Sequence, residues 1–336
     1  MRFDTARDAS REPHGSSDDP EVIDFSANTN PEVPDGVREA YRAAFDAARR
    51  YPEEPPSAYR EAAAGYVGCA PAEVIPTPGG LAGMRLAIGL AVDPGDSVAV
   101  PSPSFGEYAR EVRLQGGEPS FVPHGEVCDV DPVGHALVIV CNPNNPTGTG
   151  YDRDALTALA KRCRAADTPL LVDEAFLGFT DRPSMAGTSG VVVARSLTKL
   201  FGLPGIRAGF LAATGPHREA LATARRTWNV GTPALSVGAD CMTRTAFIER
   251  TRDRVGRERE RLRESLSTAF DVSESVAPFL LLDTGDRDAA AVVAHAREHG
   301  LAIRDATTFR GLDSHVRVAV RRPAENDRLI EVLADG

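Results

Sequence analysis

The sequence has few of the residues that would place the protein in a disulfide-linked, metal-binding or membrane class. Its five cysteines are scattered over 336 residues, and no two form a C-x-x-C pair, so neither a zinc knuckle nor a disulfide framework is indicated. Scattered cysteines in odd number are typical of a reducing compartment, and we predict a cytoplasmic protein without a metal site. Because no apolar run approaches the roughly 20 residues that span a bilayer, and the polar N terminus predicts no signal peptide, we expect no membrane association.

An excess of positive charge is also absent. Lys and Arg number 38 against 48 Asp and Glu, which gives a net charge of −10. This balance argues against nucleic acid or an anionic membrane as the main partner, and an anionic substrate would need local arginines within a negative surface. The length exceeds the roughly 100–150 residues of one typical core, which predicts two domains.

Apolar strands that alternate with helical periodicity indicate an α/β fold. Apolar runs at 97–100, 136–140, 169–172 and 191–194 are separated by predicted helices, and near-continuous apolar strands favour a mostly parallel sheet covered on both faces. After about residue 233 the pattern changes to a long charged helix over 234–270, continuous or kinked, and then a smaller α+β unit. Residues 1–21 are interpreted as a polar arm or loop. We therefore predict an N-terminal arm over 1–40 packing with the small domain, a large domain over 41–232 and a small domain over 233–336.

Polar side chains follow several of the predicted strands at the point where each strand ends. Asn145, Asp173 and the cluster Ser196–Lys199 lie at such positions, and Tyr108 follows the strand at 97–100. In open α/β sheets ligands bind at this edge. The sequence therefore predicts that these side chains meet in one site.

Each of these positions has a simpler interpretation when taken singly. Lys199 could be a surface lysine in a loop, or a desolvated amine that is nucleophilic towards a carbonyl. Asn145 could belong to a rigid loop, Tyr108 to the core, and Gly79-Gly80 to a plain turn rather than a phosphate-binding helix start. Asp173 is harder to explain structurally, because a buried carboxylate needs a positive partner.

Four motifs in a fixed order carry a family resemblance: Asn142–Gly148 (NPNNPTG), Asp173–Phe176 (DEAF), Ser196–Lys199 (SLTK) and Gly205–Arg207 (GIR). They resemble the motifs of the fold-type I, class I/II aminotransferases that depend on pyridoxal 5'-phosphate (PLP). The resemblance covers most of the chain. It implies the fold-type I transferase fold, with a large domain built on a mostly parallel sheet and a smaller α+β domain, PLP as cofactor and a homodimer.

The resemblance also implies roles for individual residues. Lys199 would be the Schiff-base lysine, Asp173 the partner of the pyridinium nitrogen, Tyr108 the residue stacked on the ring and Asn145 a ligand of the cofactor O3′. The cofactor phosphate would be held by Gly79, Gly80, Leu81, Ser196 and Arg207, with help from Thr198. Leu81 has no hydroxyl, so its contact would come from the backbone, and Tyr51 matches a tyrosine that reaches the phosphate across the dimer interface.

Three further stretches look most similar to threonine-phosphate decarboxylases of cobalamin biosynthesis, relatives of the histidinol-phosphate aminotransferases. They are His14-Gly15 with Asp24–Pro31, the segment Ser196–Arg207, and Phe309–Asp313 with Val316–Arg321. The resemblance implies a small phosphorylated amino-acid substrate. Its phosphate would lie under His14 and Asn28, its carboxylate on Arg317, and Arg304 and Asn145 would contribute further binding.

Phe176 bears on the reaction, because many of these aminotransferases carry at this position a tyrosine that donates to O3′. The implied activity is decarboxylation of L-threonine O-3-phosphate to (R)-1-aminopropan-2-yl phosphate. An aminotransferase acting on histidinol phosphate or an aromatic amino acid is the alternative, and a PLP-binding domain without turnover is a third. A nicotinamide-dependent oxidoreductase is disfavoured, since Gly79-Gly80 does not extend to G-x-G-x-x-G.

Overall fold

The computed structural model describes residues 3–8 and 10–334. Its helices are α1 (Phe3–Asp8), α2 (Val37–Ala47), α3 (Ser57–Val67), α4 (Gly80–Ala91), α5 (Glu107–Gln115), α6 (Arg153–Ala165), α7 (Gly215–Ala224), α8 (Thr232–Met242), α9 (Thr245–Leu266), α10 (Ala289–Glu298) and α11 (Pro323–Ala334). Its strands are β1 (Ile23–Asp24), β2 (Val74–Thr77), β3 (Ser97–Ser102), β4 (Glu118–Pro123), β5 (Leu137–Cys141), β6 (Leu170–Asp173), β7 (Val191–Ser196), β8 (Gly209–Ala213), β9 (Asp271–Val272), β10 (Phe279–Asp283), β11 (Leu301–Ala302), β12 (Arg304–Asp305) and β13 (His315–Ala319). Within the described ranges, no helix has the length and apolar character needed to cross a membrane.

A seven-stranded sheet forms the centre of the molecule, in the order β2-β8-β7-β6-β5-β3-β4. Strands β7, β6, β5, β3 and β4 run parallel, whereas β8 is antiparallel to both of its neighbours. Along β5, Val138 and Val140 pack into the core on one side of the sheet and Ile139 and Cys141 into the core on the other. A strand buried on both faces has no polar alternation, which is why these runs were recognisable in the sequence, and the predicted fold class is confirmed.

The C-terminal part is built on a smaller antiparallel sheet, in the order β12-β13-β10-β9, with α9 contacting β10 and α11. The N-terminal segment joins this part through β1, which pairs in parallel with β11. The same segment also reaches the large sheet's helices, because Thr5 Oγ1 donates to the carbonyl of Leu114 on α5 at 3.1 Å. The arm therefore contacts both parts, and the domain boundaries at 40 and 232 stay predictions.

The structure corrects the single helix predicted over 234–270. The chain instead forms α8 and α9, because Arg244 leaves the helical region with φ −81° and ψ 60°. Two polar contacts lie beside the break: the Arg244 guanidinium donates to the Asp240 carboxylate at 2.7 Å, and Thr243 Oγ1 donates to the Asp240 carbonyl at 2.8 Å. The Arg/Glu alternation over 257–263 lies wholly within α9, and α8 carries a single charged residue, so charge periodicity did not reveal the break.

Two further elements differ from the expectation. Residues 1–21 contain the short helix α1 rather than only loop. The edge strand β4, over Glu118–Pro123, was not anticipated because it carries two prolines. Proline lacks the amide proton that a central strand needs, and it is tolerated at a sheet edge, where β4 lies beside β3 only.

Candidate functional site

Strand register brings the predicted polar positions to one edge of the large sheet. Cys141 on β5 pairs with Asp173 on β6, and Asp173 pairs with Ala194 on β7. The segments that follow these strands therefore leave the sheet side by side. They surround a cavity of about 680 Å³. The cavity is lined by these predicted site residues: His14, Asn28, Gly80, Leu81, Tyr108, Asn145, Asp173, Phe176, Ser196, Thr198, Lys199, Arg207, Arg304 and Arg317.

Asp173 is a buried carboxylate with two neutral hydrogen-bond donors. Tyr108 Oη donates to Asp173 Oδ2 at 2.6 Å, and the Ala175 amide donates to Oδ1 at 2.9 Å. Burial raises the pKa of Asp173, and these donors together with Arg195 and Lys199 oppose that rise. The same burial, reinforced by the adjacent Asp173 carboxylate, raises the pKa of Tyr108. Asp173 is therefore a deeply buried hydrogen-bond acceptor, and the hydroxyl proton of Tyr108 is already engaged in a hydrogen bond to it.

Lys199 lies in the cavity wall just beyond the end of β7. Desolvation, together with the positive charges of Arg317 and Arg207, lowers the pKa of Lys199 to about 8. Asp24 and Asp173 oppose this shift. An amine with this proton affinity is partly neutral near physiological pH, which is the form that attacks a carbonyl.

A compact set of backbone and side-chain donors lies beside Lys199. Gly79 precedes α4 with φ 91°, and a Cβ at this position would lie 2.7 Å from Arg207 Nη2. The first N–H groups of α4 have no helical partner and carry the positive end of the helix dipole. Ser196 Oγ and Thr198 Oγ1 are 2.8 Å apart. This combination is a cradle for an anionic group, and only glycine admits so close an approach of Arg207.

Two buried arginines face the cavity from the small sheet. Arg317 on β13 donates from Nη1 to Asn145 Oδ1 and from Nη2 to the Ser26 carbonyl at 2.9 Å. Arg304 on β12 donates to the Pro13 carbonyl at 2.8 Å and to Thr308. Desolvation lowers the pKa of both guanidiniums, and for Arg317 the nearby Arg304 adds to the effect.

No carboxylate among the described residues lies within ion-pair distance of Arg304 or Arg317, and Asp305 and Asp24 act on their charges only from farther away. Their hydrogen-bond partners are instead neutral oxygens, and Arg317 Nε is buried without an acceptor. A buried cation without a counter-ion is costly. This arrangement is what a receptor for an anionic ligand requires.

The N-terminal arm supplies two more of the predicted side chains. His14 Nε2 lies 3.0 Å from Glu107 Oε1, and the imidazole is about half exposed. Asn28 is buried, and its Oδ1 has no hydrogen-bond partner among the described residues. Both residues line the cavity on the side of Arg304 and Arg317.

Phe176 and Tyr51 occupy very different positions. Phe176 is buried in the cavity wall and packs edge-on against Phe279, with ring centroids 5.1 Å apart. Tyr51 does not line the cavity of its own chain. It is 77% exposed and stacks on Trp228, with ring centroids 4.1 Å apart. Its role across a dimer interface therefore stays a prediction.

Three contacts at or near the site were not anticipated from the sequence. Glu107 contacts His14, and the carbonyl of Ser26 accepts from Arg317. A buried ion pair also joins Glu174 to Arg195, with Arg195 Nε 3.7 Å from Glu174 Oε2. The adjacency of Glu174 to Asp173 was the available signal for the ion pair, whereas a backbone carbonyl leaves no signal in the sequence.

Comparison with known proteins gives a consistent family assignment. The family model described as aminotransferase class I and II matches residues 20–333. A protein of Archaeoglobus fulgidus named "Histidinol-phosphate aminotransferase 2" is 30% identical over 328 residues, covering 94% of each chain. A protein of Caldanaerobacter subterraneus named "Putative threonine-phosphate decarboxylase" is 34% identical over 310 residues, covering 84% of this chain and 82% of the relative.

Solved structures agree with this assignment. The histidinol-phosphate aminotransferase of Clostridium acetobutylicum superposes with a TM-score of 0.85 at 23% identity, covering 94% of this chain and 98% of the other, which establishes the shared fold. The L-threonine-O-3-phosphate decarboxylase of Porphyromonas gingivalis superposes with a TM-score of 0.82 at 25% identity, covering 92% and 97%.

Proposed function

The chain belongs to the PLP-dependent aminotransferase class I and II family, and from that premise we propose that it decarboxylates L-threonine O-3-phosphate to (R)-1-aminopropan-2-yl phosphate. The observation that carries this proposal is the pair of buried arginines without carboxylate partners, Arg304 and Arg317. Together with His14 and Asn28 they form a receptor for a small substrate bearing two anionic groups. A planar guanidinium binds carboxylate and phosphate in bidentate fashion.

The residues around the cavity floor fit the cofactor. Asp173 offers a buried acceptor for a protonated ring nitrogen, and Lys199 offers an amine of lowered pKa. The cradle formed by Gly79, the start of α4 and Arg207 suits the cofactor phosphate. The site of Gly79 supports this assignment directly, because a side chain there would displace the guanidinium. Bound PLP supplies an electron sink for the bond that breaks at the substrate Cα.

The remaining roles follow from position in the same cavity. Tyr108 would hold Asp173 through its hydroxyl and cover the ring, and Asn145 would contact O3′ while its Oδ1 accepts from Arg317. The set completing the phosphate site would be Gly80, Leu81, Ser196 and Thr198.

Proton transfer in the proposed reaction falls to Lys199. When the Cα–carboxylate bond breaks, its electron pair stays with Cα and carbon dioxide leaves. The ammonium form of Lys199 then delivers one proton to Cα, which balances the reaction. Arg317 orients the departing carboxylate, and Phe176 places no hydroxyl donor on this wall of the cavity.

A second candidate is an aminotransferase acting on histidinol phosphate, favoured by the names of several relatives. The same pair of arginines would then bind the phosphate of one substrate and the carboxylates of a 2-oxo acid in turn. In that reaction Lys199 would remove a proton from Cα instead of supplying one after carbon dioxide leaves.

One assay separates the two candidates. The cofactor-loaded enzyme is incubated with L-threonine O-3-phosphate without any 2-oxo acid, and released carbon dioxide and aminopropanol phosphate are quantified. Stoichiometric release over many turnovers supports decarboxylation, and unphosphorylated L-threonine is the matched control. Turnover of histidinol phosphate that depends strictly on 2-oxoglutarate, with no carbon dioxide from threonine phosphate, would refute the proposal.

A homodimer is part of the same proposal. The predicted interface tyrosine, Tyr51, is exposed and stacks on exposed Trp228, and Tyr41 and Phe45 are exposed on α2. Tyr51 of one copy would reach the cofactor phosphate of the other. Sedimentation analysis at micromolar concentration tests this, since a monomer would contradict it. The cytoplasmic location stays a prediction.

A further inference from the structure

His14 is held by a carboxylate that neither the family motifs nor the cavity lining singles out. Glu107 lies in the first turn of α5 with only 6% of its side chain exposed. Its Oε1 lies 3.0 Å from His14 Nε2, and its Oε2 accepts from Arg110 Nη1 at 3.2 Å. The His14 ring also packs against Phe105, with centroids 5.7 Å apart. A half-exposed imidazole is thus fixed at one ring nitrogen by a buried anion.

The contact determines which ring atom remains available. A carboxylate only accepts hydrogen bonds, so the proton of the His14–Glu107 bond resides on Nε2. In the neutral ring Nδ1 is then an acceptor, and it has nothing to donate to a phosphate oxygen. Only the imidazolium donates from Nδ1. A dianion bound beside Nδ1 would therefore favour the imidazolium, because only that form donates to it from Nδ1.

Other charged groups lie around the His14–Glu107 pair. Arg110 also contacts Glu111 at 3.4 Å and holds the arm through the Ser10 carbonyl. Glu12 packs against Gly106, and Arg304 donates to the Pro13 carbonyl next to His14. Arg110 contacts Glu107 at 3.2 Å and Glu111 at 3.4 Å, and Arg85 contacts Glu111 at 3.5 Å, whereas His14 contacts Glu107. This asymmetry distinguishes the two glutamates.

We propose that Glu107 is a positioning residue for His14. By accepting from Nε2, Glu107 leaves Nδ1 as the donor for the substrate phosphate. It thereby couples binding of that dianion to uptake of a proton by the His14 ring. This inference rests on the proposed placement of the substrate phosphate beside His14. It adds a specificity element: a phosphorylated substrate is bound with a proton, and its unphosphorylated analogue is not.

The test measures proton uptake rather than activity. Inorganic sulfate is the probe, because it keeps two negative charges at neutral pH and cannot itself contribute protons. It is titrated calorimetrically into the cofactor-loaded enzyme in two buffers of different ionisation enthalpy, at about pH 7.5, one unit above the ordinary histidine pKa of about 6.5. The wild type should take up a large fraction of one proton. Glu107→Gln should reduce that uptake and weaken sulfate binding roughly tenfold, because the imidazolium loses its carboxylate partner.

Matched variants separate positioning from general stability. Glu111→Gln removes a neighbouring carboxylate that shares Arg110 but does not contact His14, and it should leave proton uptake unchanged. In a His14→Gln background, Glu107→Gln should have no further effect on sulfate affinity. Equal effects of Glu107→Gln in both backgrounds, or no proton uptake by the wild type, would overturn the inference. If Glu107→Gln does not fold, Glu107→Asp keeps the charge but shortens the reach, and it should show the same loss of uptake.

The outcome is separable from that of the proposed function. Sulfate-linked proton uptake without decarboxylation of threonine phosphate would sink the proposed reaction and retain the role of Glu107. Decarboxylation without proton uptake would retain the proposed reaction and reject the role of Glu107.

Discussion

The floor and the roof of the cavity are built in different ways. The floor carries Asp173 and Lys199, which lie at the ends of two neighbouring parallel strands of one sheet. The roof carries Arg304 and Arg317, whose contacts bridge the length of the chain: Arg317 donates to the carbonyl of Ser26, 291 residues away in sequence. Local motifs and strand register are enough to assemble the floor. The roof exists only after the arm and the small sheet have packed together.

The two halves also differ in charge. The floor pairs buried carboxylates with nearby donors, whereas the roof holds guanidiniums whose partners are neutral oxygens. We therefore expect floor variants to lose cofactor binding and chemistry, and roof variants to lose substrate affinity and selectivity.

The largest effect is expected for Lys199→Ala on the floor. Removing the amine should lower turnover by at least about 10⁴-fold, since both the nucleophile and the acid–base group are lost. The sequence makes the covalent test simple, because Lys199 and Lys161 are the only lysines in the chain. Borohydride reduction of the loaded enzyme followed by peptide mapping should label Lys199. Lys161→Ala, on the exposed face of α6, is the control and should retain both label and activity. Labelling of Lys161 instead would contradict the assignment of the floor.

Asp173→Asn should give the next largest effect. The amide keeps the shape and one acceptor for Tyr108, but it removes the negative charge that would face a protonated ring nitrogen. Breaking a buried ion pair costs about 3–5 kcal/mol, so turnover should fall by roughly 10²-fold to several times 10³-fold. Steady-state kinetics at saturating substrate and the cofactor absorbance spectrum measure this loss. Unchanged kcat with a raised KM would show instead that Asp173 contributes to substrate affinity, the role expected of the roof.

Much of the floor could be predicted from the sequence. Asp173 follows four buried residues of β6, and the apolar run of β7 ends just before Lys199, so both positions at the sheet edge were visible as pattern. The hydrogen bond from Tyr108 to Asp173 could not be predicted in this way, because it depends on how α5 packs over β3. The sequence also did not predict that β8 is antiparallel, because the apolar pattern of a buried strand is the same in either direction.

The roof was recognised only through resemblance. Nothing in the spacing of Arg304 and Arg317 shows that both are buried, because an arginine on a short strand is normally exposed. Their burial depends on the arm, whose β1 pairs with β11 across the whole chain. The continuous helix over 234–270 was wrong for the related reason that local charge patterning does not report where one helix ends and the next begins, here between Met242 and Thr245.

Roof variants should change affinity more than chemistry. Arg317→Lys keeps the charge but loses the planar fork, and we expect KM for the phosphorylated amino acid to rise roughly 10- to 100-fold, equivalent to a charged hydrogen bond of about 1.5–3 kcal/mol. The kcat should change less than KM. Arg304→Lys should show the same split. Arg321→Lys is the matched control, because Arg321 pairs with Glu325 instead of lining the cavity. An equal effect in the control would show that the roof acts through stability.

The smallest effect is expected on the stability of the cofactor-free protein, and it returns to the floor. Burial lowers the pKa of Lys199 to about 8 from an ordinary value of 10.5. Between these values the unfolded chain binds more protons than the folded chain, so this group's contribution to stability rises with pH through that window. Below about pH 8 the folded state carries a poorly solvated ammonium. Lys199→Met removes that cost, which is about 1–2 kcal/mol after allowance for partial solvent screening.

Urea unfolding of the cofactor-free wild type and of Lys199→Met, compared from about pH 7 to about pH 10.5, measures this difference, with Lys161→Met as the control for loss of an exposed lysine. The variant should be the more stable at pH 7, and the gap should close as the pH rises towards the ordinary lysine pKa of about 10.4. A gap that stays constant would show that Lys199 is solvated in the folded chain. The cavity floor would then be open to solvent, and the contrast between a pre-formed reactive floor and an anion-accepting roof would not hold.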